Sequence, residues 1–146
     1  MKKAILIIAG LIILGGIAAF VGYKYYYNKP HTDYVETKTE VQINAKRLWV
    51  DYSMNKDIAG PKYTGKVIEV TGSIMRVEVV NDLTIVVFAY KRGDFGDEGI
   101  RVTMLPEYAQ AAKGINPFKN VTIKGLCTGY NDQDVIMENG SIVGAQ

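Results

Sequence analysis

The chain has 146 residues, a usual size for one domain, and its 48% hydrophobic and 22% charged composition excludes disorder over most of its length. All 15 Asp and Glu residues lie after residue 30, and four of the 17 Lys and Arg residues flank an uncharged N-terminal run. Residues 31–146 therefore carry 13 basic residues against 15 acidic ones, a net charge of −2. A single Cys excludes an intrachain disulfide, and a single His excludes a His-rich metal cluster and argues against a His-dependent triad.

The N-terminal run covers residues 4–22, and as a helix these 19 residues reach roughly 28 Å, close to the thickness of a bilayer's hydrocarbon core. Four tyrosines and one lysine follow within residues 23–27, a composition typical of the membrane interface. We therefore predict a transmembrane anchor with an aromatic belt over residues 1–27. A cleaved secretory signal is the alternative, although its apolar core is usually shorter and ends in a small-x-small cleavage site.

Positive charges around this run predict the orientation of the chain. Lys2, Lys3 and the amino terminus precede it, and Lys24 and Lys29 follow it. This slight bias favours a single-pass protein with a cytoplasmic N-terminus and an extracytoplasmic domain, either periplasmic or extracellular. Residues 28–39 are polar and have no apolar period, so they are predicted to be a tether to a domain at residues 40–146.

A leading helix is predicted over about residues 40–55, because two overlapping capping boxes precede apolar residues at helical spacing. Within it, we expect Trp49 and Tyr52 to pack the helix onto the domain rather than to bind a partner. Residues 55–63 contain Gly60-Pro61 and are predicted to be a turn.

The remaining sequence predicts five strands, with one short helix before the fourth. The first strand starts near Lys66, is long, and has Gly72 where a bend would fit. An Asn81-Asp82 turn follows it, and residues 91–99 are predicted to be a glycine-rich connection. The later elements are predicted as strands at residues 83–90 and 100–104, a helix at residues 106–113, and strands at residues 121–128 and 135–143.

Three strands, a helix and two strands, with a long bent first strand, are the element order of an OB-fold. The fold class is therefore predicted to be all-β with helices: a five-stranded OB-fold Greek-key barrel, preceded by an N-terminal helix and a single transmembrane helix. Closure of the barrel explains the bend in the first strand, because one curved strand can then pair with neighbours on both sides of the barrel. An antiparallel sandwich or an unrelated small β-barrel would share the strand count.

Two segments carry a resemblance to a known family: Tyr63-Thr-Gly-Lys-Val-Ile-Glu-Val-Thr-Gly72 and Val121-Thr-Ile-Lys-Gly-Leu-Cys-Thr-Gly-Tyr130. With the preceding Ala45, Leu48, Tyr52, Asn55 and Ala59, they resemble the tRNA_anti-like family, small OB-fold proteins commonly found behind a membrane anchor or signal segment. The resemblance covers roughly residues 41–143. It implies the OB-fold, while the family name does not establish tRNA binding.

An OB-fold usually binds its ligand along its second and third strands. If Leu83 and Ile85 face the barrel interior, the alternate side chains of that strand face outward. The candidate ligand-binding residues are then Thr84, Phe88, Tyr90, Lys91, Arg92, Arg101 and Thr103. In the alternative, Phe88 and Tyr90 pack beneath the leading helix and the charged residues form a solvated rim.

No nucleophile motif or phosphate-binding loop is present, so an enzyme is not expected. Residues 94–98 include three carboxylates but lack the EF-hand spacing, and neither a metal site nor a cofactor is predicted. Cys127 is expected to be a small core residue.

The expected function is a membrane-anchored, non-catalytic OB-fold binding module with a protein, peptide or glycan partner outside the cytoplasm. The alternative is a single-stranded nucleic-acid-binding OB-fold that faces the cytoplasm. The net charge of −2 opposes this alternative, because phosphate binding requires clustered positive charge.

Overall fold

The computed structural model of this chain describes residues 15–16 and 34–145. Within these residues, no helix has the length and apolar character needed to cross a membrane. Apart from residues 15 and 16, the predicted span at residues 4–22 lies outside the described part, as do the aromatic belt and residues 28–33 of the tether. The elements named below belong to the unit that begins at Tyr34.

The segment before the barrel folds as a strand and two helices: β1 (Val41–Asn44), α1 (Ala45–Met54) and α2 (Lys56–Tyr63). The predicted helix start near residue 40 is wrong, because the side chain of Asn44 caps α1 by accepting a hydrogen bond from the backbone N–H of Arg47. The predicted turn at residues 55–63 is also wrong. Asn55 caps a second helix there, accepting hydrogen bonds from two backbone N–H groups.

Six further strands follow, and a short helical segment precedes the last two. A 3₁₀ turn (Pro106–Tyr108) and α3 (Ala109–Lys113) form this segment, where a single helix was predicted. The strands are β2 (Val67–Ser73), β3 (Arg76–Val80), β4 (Leu83–Gly93), β5 (Gly96–Met104), β6 (Asn120–Tyr130) and β7 (Val135–Ala145).

The seven strands form one sheet in the order β1-β2-β6-β7-β5-β4-β3. β2 and β3 are consecutive halves of one bent strand, in which β2 pairs with β6 and β3 pairs with β4. This shared strand closes the barrel, and β5 and β7 pair in parallel within it. The OB-type arrangement and the bent first strand are confirmed. The predicted count of five is wrong, because the bend divides the first strand and β1 adds a parallel partner to β2.

Helix α1 packs on the barrel through its aromatic side chains, as predicted. Trp49 and Tyr52 are buried, and the Trp49 indole N–H donates to the carbonyl of Gln133 at 3.1 Å. Gly72 allows the close approach of α1, since an added Cβ would lie 3.0 Å from the Cβ of Ala45. Cys127 is fully buried in the same core.

Residues 34–40, which include the second half of the predicted tether, are bound to the barrel. The Nζ of Lys124 donates to the carbonyl of Val35 at 2.9 Å. The backbone N–H of Glu40 donates to the carbonyl of Val67 at 2.9 Å, and the Glu40 carboxylate accepts from the N–H of Val67 at 3.1 Å.

Candidate ligand-binding face

The register of β3 and β4 reverses the predicted orientation of the candidate residues on β4. Asn81 and Asp82 have φ values of 49° and 65°, as in a two-residue type I′ turn, and Val80 pairs with Leu83 across it. Thr84 and Phe88 point into the barrel and are 2% and 0% exposed. Their predicted outward placement is therefore wrong, and neither side chain can meet a ligand on the surface.

Tyr90 also lies beneath α1, where its ring centroid is 6.0 Å from that of Trp49. The pairing of β4 with β5 shifts between Ala89 and Lys91, so Tyr90 is the extra residue of a bulge. Burial raises the pKa of Tyr90. Packing of Phe88 and Tyr90 beneath the leading helix, the alternative interpretation of these residues, is confirmed.

The predicted connection at residues 91–99 is instead a continuation of β4 and β5 around a tight hairpin. Lys91 and Arg92 lie exposed on this hairpin. The Nζ of Lys91 is 3.2 Å from the carboxylate of Glu98 on the neighbouring strand. Of the candidate residues on this hairpin, Lys91 therefore already forms an ion pair with Glu98.

The outward side chains of β3, β4 and β5 form one surface, here called the outer face. The register places Arg76, Val87 and Arg101 in one row and Glu78, Ile85 and Thr103 in the next. Of the candidate ligand-binding residues, Arg101 and Thr103 therefore lie on the outer face. The outer face comprises Arg76, Glu78, Val80, Leu83, Ile85, Val87, Arg101 and Thr103.

Three carboxylates hold the two arginines of the outer face. Glu78 accepts hydrogen bonds from Nε of Arg76 at 2.6 Å and from Nη1 of Arg101 at 2.9 Å. Asp97 accepts from Nη1 of Arg76 at 2.6 Å, and Asp134 accepts from Nε of Arg101 at 2.7 Å. Two positive and three negative charges leave this network with a net charge of −1, and both guanidinium groups are engaged.

Asp134 fixes this network to the barrel. Its side chain is buried, and its carboxylate also accepts the backbone N–H of Gly99 at 2.8 Å. Its own backbone N–H donates to the side chain of Asn131 at 2.7 Å. Asp134 therefore joins the β6–β7 turn to β5 and orients Arg101.

Glu78 is ionised over the neutral pH range. Burial acts to raise its pKa, but the hydrogen bonds and positive charges of Arg76 and Arg101 outweigh burial and hold the pKa below its usual value. The ionised carboxylate stabilises the fold above the pKa of an unfolded Glu. This stabilisation is lost as the pH falls through the lower folded pKa.

Glu78→Gln is therefore expected to destabilise the protein by about 1 kcal/mol at pH 7, because one partner of both arginines loses its charge. The difference from wild type should shrink as the pH falls below the pKa of an unfolded Glu, about 4.3, and through the lower folded pKa of Glu78. Urea unfolding at several pH values measures both the loss of stability at pH 7 and its decrease at low pH. Glu138→Gln, at an exposed position on β7, is the control and should show little change at any pH. A Glu78→Gln effect independent of pH would contradict the ionised network.

Apolar side chains lie beside the network on the outer face. Val80 and Leu83 are 48% and 51% exposed at the end of the β3–β4 hairpin, and Ile85 is half-buried next to them. None of the eight outer-face residues is aromatic. The outer face is thus an apolar strip beside an ion-pair network with a net charge of −1, rather than a stacking surface flanked by free cations.

Sequence reasoning missed most of this network. Arg76, Glu78 and Asp134 were not among the candidate residues, and Asp97 was considered only as part of a cation-binding loop. The alternation of Arg76 and Glu78 directly before the two-residue turn is the signal that would have placed both on one side of β3.

A concavity of about 310 Å³ lies between α1 and α2. There Asp51 accepts hydrogen bonds from the hydroxyl of Tyr63 at 2.7 Å and from Nε of Arg47 at 2.7 Å. The hydrogen bond from Tyr63, helped by Arg47 and Lys62, outweighs burial and holds the pKa of Asp51 below its usual value. The contacts of Asp51 with Tyr63 and Lys62 fasten α2 to α1. Across residues 34–145, no three His, Cys, Asp or Glu side chains are grouped to hold a metal ion.

The chain aligns with a number of solved structures. A candidate nucleic acid-binding lipoprotein from Klebsiella pneumoniae aligns with a TM-score of 0.54 and 15% identity, over 80% of this chain and 100% of that one. Aspartyl-tRNA synthetase from Entamoeba histolytica aligns with a TM-score of 0.41 and 11% identity, over 59% of this chain and 20% of the synthetase. The chain thus matches about a fifth of that enzyme. Comparison with curated proteins finds no match.

The family model of tRNA_anti-like proteins matches residues 1–142, nearly the whole sequence. The OB-type barrel and its bent first strand agree with this match. This chain belongs to the tRNA_anti-like family.

Proposed function

We propose that this protein is a non-catalytic OB-fold binding module whose outer face binds a protein, peptide or glycan partner. Of these, a protein or peptide suits the exposed apolar pair Val80 and Leu83 best. The N-terminal charge bias and apolar run support a module anchored at residues 4–22, with its barrel outside the cytoplasm.

The observation that carries this proposal is the engagement of both outer-face arginines by carboxylates. A phosphate backbone would have to displace Glu78, Asp97 or Asp134 from a network that is already net negative. A polypeptide requires no such exchange, because its side chains can cover Leu83 and its polar groups can bond to the rim of the network.

The test is a peptide selected from a display library on the full chain. Leu83→Glu should weaken its binding at least tenfold, about 1.4 kcal/mol, because a charge replaces the apolar contact. Val143→Glu is the matched control, at a similarly exposed valine on β7, and should bind as wild type does. Unchanged affinity in Leu83→Glu would show that the selected peptide binds elsewhere and would contradict the proposed face.

Single-stranded nucleic acid is the second candidate, and it is supported by the tRNA_anti-like family and by the description of the Klebsiella protein as nucleic acid-binding. We expect a labelled oligonucleotide to show no saturable binding to the full chain at physiological salt. Saturable binding that disappears in the double variant Lys91→Glu, Arg101→Glu would replace the proposed partner with nucleic acid. Binding that survives in this variant would place the nucleic-acid site off the outer face.

A further inference from the structure

Two exposed apolar side chains and two cations share one surface of α1 and α2. Met54 ends α1 and Ile58 lies near the start of α2, and they are 80% and 69% exposed. Both line the 310 Å³ concavity, together with Arg47 and Lys62. These four residues are here called the helical patch. Apolar side chains accompanied by cations are typical of protein surfaces that lie on a membrane interface.

The helical patch keeps a positive charge. Arg47 and Lys62 share one carboxylate, that of Asp51, and their side chains are 70% and 59% exposed. Arg47 contacts Asp51 through Nε, so the terminal nitrogens of its exposed guanidinium can bind a further acceptor. The outer face has the opposite balance, because three carboxylates hold its two arginines.

Positive charge is concentrated in the segment that carries the helical patch. Residues 44–66 contain five basic residues and two acidic ones, a net charge of +3. The rest of residues 31–146 contains eight basic residues and 13 acidic ones, a net charge of −5. An anionic surface would attract the first part and repel the second, so this asymmetry would orient the domain on it.

The chain enters the barrel at the end of β2 that follows α2. Glu40 is hydrogen-bonded to Val67, the first residue of β2, and α2 ends four residues before it, at Tyr63. Residues 23–33 lie between the apolar run and the described barrel, and 11 extended residues reach at most about 40 Å. The anchor of the proposed function would keep this end of β2 within that distance of a bilayer.

We propose that the helical patch docks on an anionic phospholipid bilayer, the one that holds the anchor at residues 4–22. This inference rests on the anchor of the proposed function. Met54 and Ile58 enter the interfacial layer, and Arg47 and Lys62 meet lipid phosphates. The contact uses none of the outer-face residues.

Quenching by a lipid-borne nitroxide tests which part of the barrel meets the bilayer. The full chain with Met54→Cys is labelled with a fluorophore and reconstituted in vesicles of phosphatidylcholine and phosphatidylglycerol that contain a headgroup-nitroxide lipid. Cys127 is buried and does not compete for the label. The label at position 54 should be quenched at least about threefold more strongly than one at Phe118→Cys.

Phe118 is the matched control position for this label. It is 74% exposed and precedes a lysine, so it is also an apolar side chain beside a cation. Its backbone N–H donates to the carbonyl of Ile74, which follows β2, so it lies at the end of β2 opposite to Val67. Equal or stronger quenching at position 118 would overturn the proposal.

Removal of charge tests the two cations of the helical patch. Arg47→Gln with Lys62→Gln should lower the ratio of docked to undocked barrel, measured by quenching at position 54, at least about tenfold. Lys91→Gln with Arg92→Gln removes the same charge from the β4–β5 hairpin and should change the ratio less than about twofold. An equal effect of both pairs would show a response to net charge alone and would contradict the patch.

Two further measurements complete the test. Ile58→Ser, a change at an exposed position that leaves the charge intact, should also lower the docked ratio, and an unchanged ratio would contradict the apolar contact. Equal quenching of position 54 in pure phosphatidylcholine vesicles would overturn the role of anionic lipid.

Failure of the anchor gives a different result from failure of the docking. Without an anchor, alkaline carbonate would strip the chain from the vesicles, and the inference would fall with the anchor. An anchored chain that does not dock would stay with the vesicles while the label at position 54 remained unquenched. Leu83→Glu should leave this quenching unchanged, so the proposed partner site is tested separately.

Discussion

Gly99→Ala should lower the free energy of unfolding by at least about 3 kcal/mol, because the site has no room for a Cβ. An added Cβ would lie 1.8 Å from the carbonyl oxygen of Phe88 and 2.8 Å from its carbonyl carbon. Both atoms belong to the backbone of β4, so the clash cannot be relieved by a side-chain rotation. β4 and β5 would have to separate beside the bulge at Tyr90. Urea unfolding followed by circular dichroism measures the loss.

Gly144→Ala is the matched control for this prediction. Gly144 lies on β7 and an added Cβ would meet nothing within 4 Å, so a change within about 0.5 kcal/mol is expected. Similar losses in both variants would show that the effect comes from glycine replacement in general. A small loss in Gly99→Ala alone would mean that the β4–β5 pairing relaxes easily.

The barrel could be predicted because its local signals agree with its topology. Alternation of apolar and polar residues marks β2, and the Asn81-Asp82 turn marks the end of β3. The element order then leaves few arrangements in which one bent strand pairs on both sides. The bend itself falls at Ile74 and Met75, just after Gly72, where two strands with different partners meet.

The start of the domain could not be predicted from local signals. Two overlapping capping boxes, Thr37 with Glu40 and Thr39 with Gln42, precede residues that are compatible with a helix. The structure instead uses Val41–Asn44 as a strand, because the free edge of β2 is available to pair with it. That edge is a tertiary feature, and a four-residue strand carries too little periodicity to reveal it.

The predicted orientation of the β4 side chains was wrong for a different reason. Both alternate sets of its side chains are mainly apolar, so hydrophobicity does not show which set is buried. Val87 is 1% exposed although it lies on the outer face between Arg76 and Arg101. The charged residues of the neighbouring strands, and not those of β4 itself, distinguish the two faces. A prediction made strand by strand therefore inverts β4 and misses Glu78.

The network also changes what the fold implies about function. On an OB-fold, arginines of the second and third strands suggest phosphate contacts. Here Arg101 is bound by Glu78 on β3 and by Asp134 in the β6–β7 turn. The same cation that would hold a phosphate thus holds the β6–β7 turn against β5. Fold and cation type alone do not distinguish these roles, whereas the carboxylates around Arg101 do.

Asp134→Ala is expected to destabilise the protein by about 3 kcal/mol, because it removes two hydrogen bonds from a buried site. The backbone N–H of Gly99 would lose its acceptor, and Arg101 would keep only Glu78 as a charged partner. Asp134→Asn should cost about half as much, since its amide oxygen can still accept from Gly99 while the charge facing Arg101 is lost. Urea unfolding of the three proteins gives this order directly.

Amide hydrogen exchange separates the two contributions of Asp134. The N–H of Gly99 should exchange slowly in wild type and in Asp134→Asn, and at least tenfold faster in Asp134→Ala, because only the alanine variant leaves it without an acceptor. An amide on β6 such as that of Ile123, which lies in the core away from this contact, serves as the internal reference. Equal protection of Gly99 in all three proteins would mean that Asp134 acts only through Arg101. Similar stability of the asparagine and alanine variants would then follow, since the lost ion pair would be their shared defect.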